Sequence, residues 1–229
     1  VLFSIPIIKI TNINLNHSNQ DTLLYKGCYY IYDDKLPFRP EVLEKNIFIK
    51  KGDLYRLGNV SDTYRRLSAM RTFKYIRIDF TDLNTGNHIL DGHIYLTTSA
   101  KMALTGEIEG THQGGFFGVV GNIGYRNKNT FKGAEVFEAK FSGGLEIQPP
   151  VFEEDNSNVN EANLQKYTPF NTIEVTPEMT LYKPGIFIPF VKQPFRKLIN
   201  PATKVSLAFS HQRRPDYDRD LAKLSFGYT

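Results

Sequence analysis

The chain has 229 residues and a formal net charge of +4, from 28 Lys and Arg against 24 Asp and Glu, with 13 Tyr, 17 Phe and no Trp. This aromatic content favours strands, and the basic residues are scattered among acids, which argues against a nucleic-acid partner. Cys28 is the single cysteine, which excludes an internal disulfide framework and a cysteine-rich zinc site.

The beginning of the chain shows no targeting pattern. No run approaches the ~20 apolar residues that a spanning helix needs, and Pro6 and Lys9 interrupt the first ten residues. An initiator Met and a signal-peptide pattern are both missing, so we expect the chain to begin after processing or inside a longer protein. Transmembrane β-sheets carry a weaker signal per segment and stay compatible with this sequence.

The first hundred residues predict a small domain with two helices on one face of a three-stranded sheet. The predicted strands are 7–15, 73–80 and 89–96, and the predicted helices are a short one beginning at Pro40 and a second over 60–70. Ser61 or Asp62 is the expected N-cap of the second helix, with Tyr64 and Leu67 at helical spacing on one face. We therefore predict an α+β domain over 1–98, of order β-α-α-β-β, with an inserted extended segment at about 17–36.

The pattern changes after residue 98. Long segments alternate strictly between apolar and polar residues, where globular strands are mostly ~5–6 residues long. The predicted strands are 102–111, 117–126, 137–147, 205–211 and 222–228, with further strand signals around 173–175 and again around 180–191. The polar stretch 148–171 predicts a long loop. Residues 99–229 thus predict about six antiparallel strands of a transmembrane β-barrel, which is incomplete because the smallest single-chain barrels have ~8 strands.

The sequence contains no recognisable catalytic or metal-binding constellation. The five His lie in different segments without ligand spacing, and the run DYDRD at 216–220 lacks the Gly and Glu that a calcium loop requires. The glycines at 114–124 do not open a helix after a strand, so a phosphate-binding loop is a poor interpretation. We therefore expect a protein that is not an enzyme and needs no cofactor or metal.

Several motifs carry a resemblance to one family. They are GDLY at 52–55, TYRRL at 63–67, FKYIRI at 73–78, LDGHIYLT at 90–97, EIEGT at 107–111, YRNKNTFKGAE at 125–135 and QRRPDY at 212–217. In this order they resemble the last POTRA domain and first barrel strands of BamA/TamA-like outer-membrane assembly factors, the bacterial surface antigen family, in its Bacteroidetes-type branch.

The resemblance implies a non-enzymatic factor for the assembly, insertion or translocation of proteins at the bacterial outer membrane, with the POTRA domain in the periplasm. Its partners would be unfolded outer-membrane proteins or translocated polypeptides, outer-membrane lipid and accessory periplasmic or lipoprotein subunits. Two strand edges would bind extended segments of client or partner. The first comprises Phe73, Lys74, Tyr75, Ile76, Arg77 and Ile78; the second, at the barrel seam, includes Leu104, Gly106, Ile108 and Gly110.

Other interpretations remain open at this point. The edge at 73–80 could be covered in the folded protein. The whole chain could belong to a passive outer-membrane pore, or to a soluble β-rich module that binds peptide or glycan. With the first domain in the periplasm, the turn at 127–132 would return to the periplasm and the loop at 148–171 would face outward, as the usual asymmetry of barrel loops requires.

Overall fold

The structure, a computed structural model, describes residues 2–4, 6–12, 20–82, 89–113, 116–147, 172–185, 202–214 and 217–228. Predicted features at 13–19, 83–88, 114–115, 148–171 and 186–201 lie outside the described residues. The strands are β1 (Leu2–Phe3), β2 (Ile7–Asn12), β3 (Gln20–Tyr25), β4 (Cys28–Asp33), β5 (Phe73–Asp82), β6 (Ile89–Thr98), β7 (Met102–Gln113), β8 (Phe116–Lys128), β9 (Val136–Ile147), β10 (Thr172–Pro184), β11 (Ala202–Arg213) and β12 (Asp218–Tyr228). The helices are α1 (Pro40–Asn46) and α2 (Leu57–Ala69).

The first six strands form one mixed sheet, called here the N-terminal sheet. Strands β1 and β2 pair in parallel with successive parts of β6, while β5 pairs antiparallel with β6 along most of its length. Strand β2 also pairs in parallel with β4, which forms an antiparallel hairpin with β3. Within the described residues, β5 and β3 are therefore the two edge strands of this sheet.

The predicted POTRA-type α+β fold of order β-α-α-β-β is wrong. Four strands precede the first helix, and the sheet has six strands where three were expected, so the described chain is mostly β structure with two helices. The difference arises largely in the segment 17–36. Lys26 and Gly27 adopt positive φ angles of 45° and 76°, so the expected extended insertion folds back as a hairpin and adds β3 and β4 to the sheet.

Helix α2 also differs from its prediction. It begins at Leu57 rather than near residue 60, and its N-cap, Arg56, makes no side-chain capping bond, so the predicted caps are wrong. Its buried face carries Thr63 and Leu67, which are four residues apart, and Tyr64 is exposed. The Thr63 hydroxyl explains this orientation, because it donates to the carbonyl of Asn59 and accepts from a backbone N–H outside the helix.

The hydrophobic core lies where α1 and α2 cover the N-terminal sheet. Its most completely buried side chains are Ile8, Ile10, Tyr30, Leu43, Ile49, Leu67, Ile94 and Leu96. Burial of such side chains stabilises a fold by ~1.5–3 kcal/mol each. Ala134 belongs to the same core although it follows β8 in the chain, so the second half of the protein contributes directly to the first.

The remaining six strands form the C-terminal sheet, antiparallel throughout and in chain order from β7 to β12. Each strand has 11 to 13 residues. Strand β10 runs through Pro177, and Thr176 and Pro177 have no Cα partners on β11, as expected where a proline removes a ladder donor. Among the described residues no helix is long and apolar enough to span a membrane.

Candidate functional site

The C-terminal sheet has one apolar and one polar face. Within each strand, alternate residues point to opposite faces. The register then places mainly apolar residues beside apolar ones, and mainly polar residues beside polar ones, from strand to strand. One row of mutual partners consists of Leu104, Tyr125, Ala139, Met179, Leu207 and Leu224, and the neighbouring row of Thr105, Gly124, Lys140, Glu178, Ala208 and Lys223. The two faces are thus sorted over all six strands.

No described residue covers the apolar face. Its large exposed side chains include Met102, Leu104, Ile108, Val119, Ile123, Phe141, Leu145, Met179, Leu207, Leu224 and Phe226. The largest apolar patch on a soluble monomer is typically ~300–600 Å² and marks a contact surface. Strands of ~9–11 residues, apolar on one side and polar on the other, are the length and pattern of a transmembrane sheet.

Strand β7 is an open edge of this sheet. It pairs with β8 along twelve registered residues, and no described strand pairs with its other side. The predicted seam residues all lie here: Leu104 and Ile108 are 76% and 85% exposed, and a Cβ added to Gly106 or Gly110 would meet no atom within 4 Å. The edge therefore offers both unpaired backbone groups and empty space for a neighbouring strand.

The polar side of β7 carries two carboxylates, Glu107 and Glu109. Their partners on β8 are Asn122 and Val120, which bring no positive charge. On the same face the nearby guanidinium of Arg126 is already paired with Glu138, with Nε and Oε1 2.6 Å apart. Among the described residues no ion pair involves either carboxylate of β7, although Arg126 and Lys140 line the same depression as Glu107.

The other predicted edge, residues 73–78, lies on β5, whose partner among the described strands is β6. Ile76 and Ile78 pack against the core, and the Phe73 ring lies 5.1 Å from that of Phe38. On the opposite face Tyr75 is 62% exposed, with Lys74 over its ring. The Arg77 guanidinium stacks 4.5 Å from the ring of Tyr95. Whether this edge binds a partner segment stays a prediction.

A second group of residues, which the sequence did not single out as a site, joins the two sheets. The turn Asn129–Glu135 connects β8 to β9, and three of its non-glycine residues, Asn129, Lys132 and Ala134, have φ near +60°. Such conformations cost about 1–2 kcal/mol per residue and persist where the surroundings fix them. Here the buried Glu135 carboxylate accepts hydrogen bonds from the N–H groups of Gly133 and Phe131, at 2.9 and 3.3 Å.

This turn docks on the segment Pro37–Arg39, and the two together are called the junction. The Asn129 side chain donates to the carbonyl of Pro37 at 2.7 Å and accepts from the N–H of Ala134 at 2.9 Å. The backbone N–H of Arg39 donates to the carbonyl of Lys132 at 2.9 Å. Ala134, 1% exposed, completes the contact by entering the core of the N-terminal sheet.

The covalent link between the sheets lies close by. The residues between β6 and β7 are held at both ends, because the N–H of Ser99 donates to Thr72 and the N–H of Lys128 donates to Lys101. The Lys128 ammonium also donates to the Ser99 hydroxyl at 3.1 Å. The connection from the N-terminal sheet to β7 is therefore held in place by Lys128, the last residue of β8. In the sequence, the motif YRNKNTFKGAE at 125–135 marks this turn. The spacing of its residues does not indicate which segment the turn contacts.

The buried reactive groups of the N-terminal sheet make no catalytic arrangement. Burial raises the pKa of the Cys28 thiol, as does the nearby Glu44 charge. Burial likewise raises the pKa of the Tyr30 hydroxyl, which has no hydrogen-bond partner among the described residues. In the same part of the chain, no group of three or more metal-ligating side chains comes together.

Comparisons with known proteins gave matches at the level of structure alone. No family model matches the sequence, and no curated protein matches it. The structure is similar to CdiB from Acinetobacter baumannii, with 10% identity and a TM-score of 0.41 over 88% of this chain and 44% of that one. It is also similar to BamA from Haemophilus ducreyi lacking POTRA domains 1–3, with 9% identity and a TM-score of 0.35 over 91% of this chain and 47% of that one.

The chain spans less than half the length of either structure. At these identities and TM-scores the likeness carries no argument about family or activity.

Proposed function

We propose that this chain is part of a non-enzymatic factor that assembles, inserts or translocates proteins at the bacterial outer membrane. The observation that carries the proposal is the C-terminal sheet, whose apolar face is exposed in the described residues and whose first strand, β7, has one pairing partner among the described strands. In lipid an unpaired backbone group costs several kcal/mol. Such an edge therefore favours the pairing of an incoming strand.

The N-terminal sheet would lie on the periplasmic side of the membrane in this arrangement. This arrangement is supported by the junction, in which the β8–β9 turn is hydrogen-bonded to Pro37 and Arg39. One end of the C-terminal sheet therefore lies beside the N-terminal sheet. The sequence motifs add independent support. The partners would be unfolded outer-membrane proteins or translocated polypeptides, together with lipid and accessory subunits.

Strand β5 would provide a second binding edge. Its outer side has no described partner strand, and exposed Lys74 and Tyr75 are available beside it. Pairing of an extended segment there would give main-chain hydrogen bonds with little demand on sequence. The two edges would act in succession on one client, first in the periplasm and then in the membrane.

The proposal is tested with the protein reconstituted in liposomes and a urea-unfolded outer-membrane barrel as client. We expect the client to fold faster than in empty liposomes, measured by its heat-modifiable gel migration. We also expect it to cross-link to Lys74→Cys in a Cys28→Ser background. A protein that conducts ions across the liposomes but leaves the client's folding rate unchanged would be a passive pore, and the proposal would then be wrong.

A further inference from the structure

The turn between β8 and β9, Asn129–Glu135, is organised around one buried side chain. The Glu135 carboxylate accepts a hydrogen bond from the N–H of Gly133 at 2.9 Å, and a Cβ at Gly133 would collide with that carboxylate. The Asn129 side chain accepts from the N–H of Ala134 at 2.9 Å. The closed shape of the turn is therefore specific, and it depends on these residues.

The closed turn has an unfavourable backbone. Of the six described non-glycine residues with positive φ, three lie in this turn: Asn129, Lys132 and Ala134, at 61°, 61° and 62°. Asn tolerates the left-handed region, but in Lys and Ala the Cβ comes too close to the following carbonyl oxygen. Such conformations persist where the surroundings over-determine them. In an isolated β8–β9 hairpin we therefore expect other turn conformations to compete with this one.

The N-terminal part of the chain supplies such surroundings. Arg39 donates its backbone N–H to the carbonyl of Lys132 and its guanidinium to the carbonyl of Phe131. The Asn129 amide donates to the carbonyl of Pro37. These bonds hold the strained residues of the turn in place, so docking on the N-terminal sheet favours the native turn over its competitors.

The turn also determines how β8 and β9 pair. Its flanking residues, Lys128 and Val136, are registered partners, and the pairing continues from there to Phe117 and Ile147 at the other end of the two strands. In a hairpin the turn fixes the register, and a slip of one residue moves every side chain of a strand to the opposite face. The native turn is therefore a condition for the separation of the apolar face from the polar face.

The N-terminal sheet can form before the C-terminal sheet. Among the described residues of its buried core, Ala134 alone comes from beyond Leu96, so nearly the whole core is present in the first hundred residues. The docking surface at Pro37–Arg39 would therefore already exist when β8 and β9 begin to pair.

We propose that the N-terminal sheet is a folding template for the C-terminal sheet: it binds the β8–β9 turn in its left-handed conformation and so sets the register of β8 and β9. The binding surface is Pro37–Arg39, and its partner is a segment of the same chain. This role goes beyond the proposed function, because it holds for the chain whether or not the protein acts on clients.

The test follows the refolding of the full chain from urea into micelles of a mild detergent, with pulses of hydrogen exchange that report when each amide becomes protected. We expect the amides of β2 and β6 to be protected before those of β8 and β9. Arg39→Ala leaves the sequence of the turn intact. It should delay the protection of β8 and β9 about fivefold, as expected if its hydrogen bonds already form in the transition state. The protection of β2 and β6 should keep its parental rate.

A glycine in the turn provides the second variant. Lys132→Gly removes the Cβ at an exposed left-handed position and keeps the backbone bonds. In the Arg39→Ala background it should restore the rate to within about twofold of the parent protein. Lys26→Gly is the matched control, because Lys26 also has a positive φ, 45°, but lies between β3 and β4. It should leave the delay caused by Arg39→Ala unchanged.

Three results would overturn the proposal. In the first, β8 and β9 become protected before β2 and β6. In the second, Arg39→Ala leaves the rate for β8 and β9 unchanged and weakens only the docked turn, which would mean that docking follows folding. In the third, Lys26→Gly restores the rate as well as Lys132→Gly does, so that relief of strain in the β8–β9 turn is not the cause.

Discussion

The guanidinium of Arg39 donates two hydrogen bonds to the carbonyl oxygen of Phe131, 92 residues further along the chain, at 3.2 Å from Nε and 2.8 Å from Nη2. Arg39 belongs to the segment that leads into α1, and Phe131 to the turn between β8 and β9. A fork of two donors on one carbonyl fixes direction as well as distance. Together with the Asn129 amide, this pair determines how the two sheets meet.

Arg39→Ala should loosen the junction without unfolding either sheet. The change removes two exposed hydrogen bonds but leaves the backbone bond from Arg39 to Lys132, so we expect a cost of about 1 kcal/mol. Hydrogen exchange of the amides in 129–135 would measure this loss in the protein reconstituted in liposomes. Arg56→Ala is the matched control, since that exposed arginine makes no described side-chain bond at the start of α2.

Asn129→Ala should be more damaging than Arg39→Ala. It deletes a donor to Pro37 and an acceptor for Ala134 at once, and it leaves partly buried backbone groups unpaired, which costs ~1–3 kcal/mol each. The comparison is made by hydrogen exchange of the same turn and by its rate of proteolytic cleavage. Equal protection in the two variants would mean that the Asn129 side chain does not hold the turn.

Tyr30→Phe should stabilise the N-terminal sheet, in contrast to most core substitutions. The Tyr30 ring is 0% exposed and its hydroxyl has no partner among the described residues, so removing the oxygen relieves a desolvation cost of ~1 kcal/mol or more. Slower hydrogen exchange of the β4 amides would report it. A loss of protection in Tyr30→Phe would mean that the hydroxyl does have a partner. The control is Tyr25→Phe, because the Tyr25 hydroxyl forms a hydrogen bond with Glu41 at an exposed site.

Glu44 should make the fold of α1 and the β3–β4 hairpin dependent on pH. Burial by itself raises the pKa of this carboxyl, but the hydrogen bond and charge of Lys50, with the charge of Lys26, outweigh it, and the pKa is lowered overall. A lowered pKa in the folded state adds stability above the unfolded-state value of ~4.3, which is lost as the pH falls through the folded-state pKa.

Hydrogen exchange of the α1 amides at several pH values would check this dependence. Glu44→Gln should be less protected than the parent protein at neutral pH, and the difference should shrink below pH ~4. A difference that does not change with pH would assign the effect to packing rather than to the charge of Glu44.

The two faces of the C-terminal sheet should respond oppositely to a charge. Leu207→Lys puts an ammonium on the apolar face, where a membrane makes it cost ~2–4 kcal/mol near mid-depth. Ala208→Lys, the next residue along β11, puts the same group on the polar face. Folding yield in liposomes should fall for the first and not for the second, and equal yields would argue against lipid on the apolar face.

The sequence predicted the parts of the fold that depend on local periodicity. Strands β7, β8 and β9 were visible because strict alternation over 12 or 13 residues is typical of strands and rare in helices or loops. The sequence predicted two separate strand signals in the region of β10, because Pro177 interrupts the alternating pattern. In the structure, residues 173–175 and 180–184 lie on one strand, Thr172–Pro184. Tertiary pairing of the flanking residues overrides that local break.

The parts that escaped prediction depend on contacts between distant segments. The β3–β4 hairpin looked like a single extended piece, since nothing in the residues around Lys26 and Gly27 requires the turn that the sheet stabilises. The docking of Ala134 into the core of the N-terminal sheet could not be read from spacing. The grouping of Glu107 with Arg126 and Lys140 on one face likewise required the register of β7, β8 and β9.

The two connections between the sheets also have a mechanical consequence. A covalent linker alone, such as the residues between β6 and β7, leaves the orientation of the two joined sheets unrestrained. The docked turn adds a second attachment, in which Asn129 and Arg39 form hydrogen bonds and Ala134 enters the core. A force that rotates the N-terminal sheet away from the C-terminal sheet therefore has to break these contacts first.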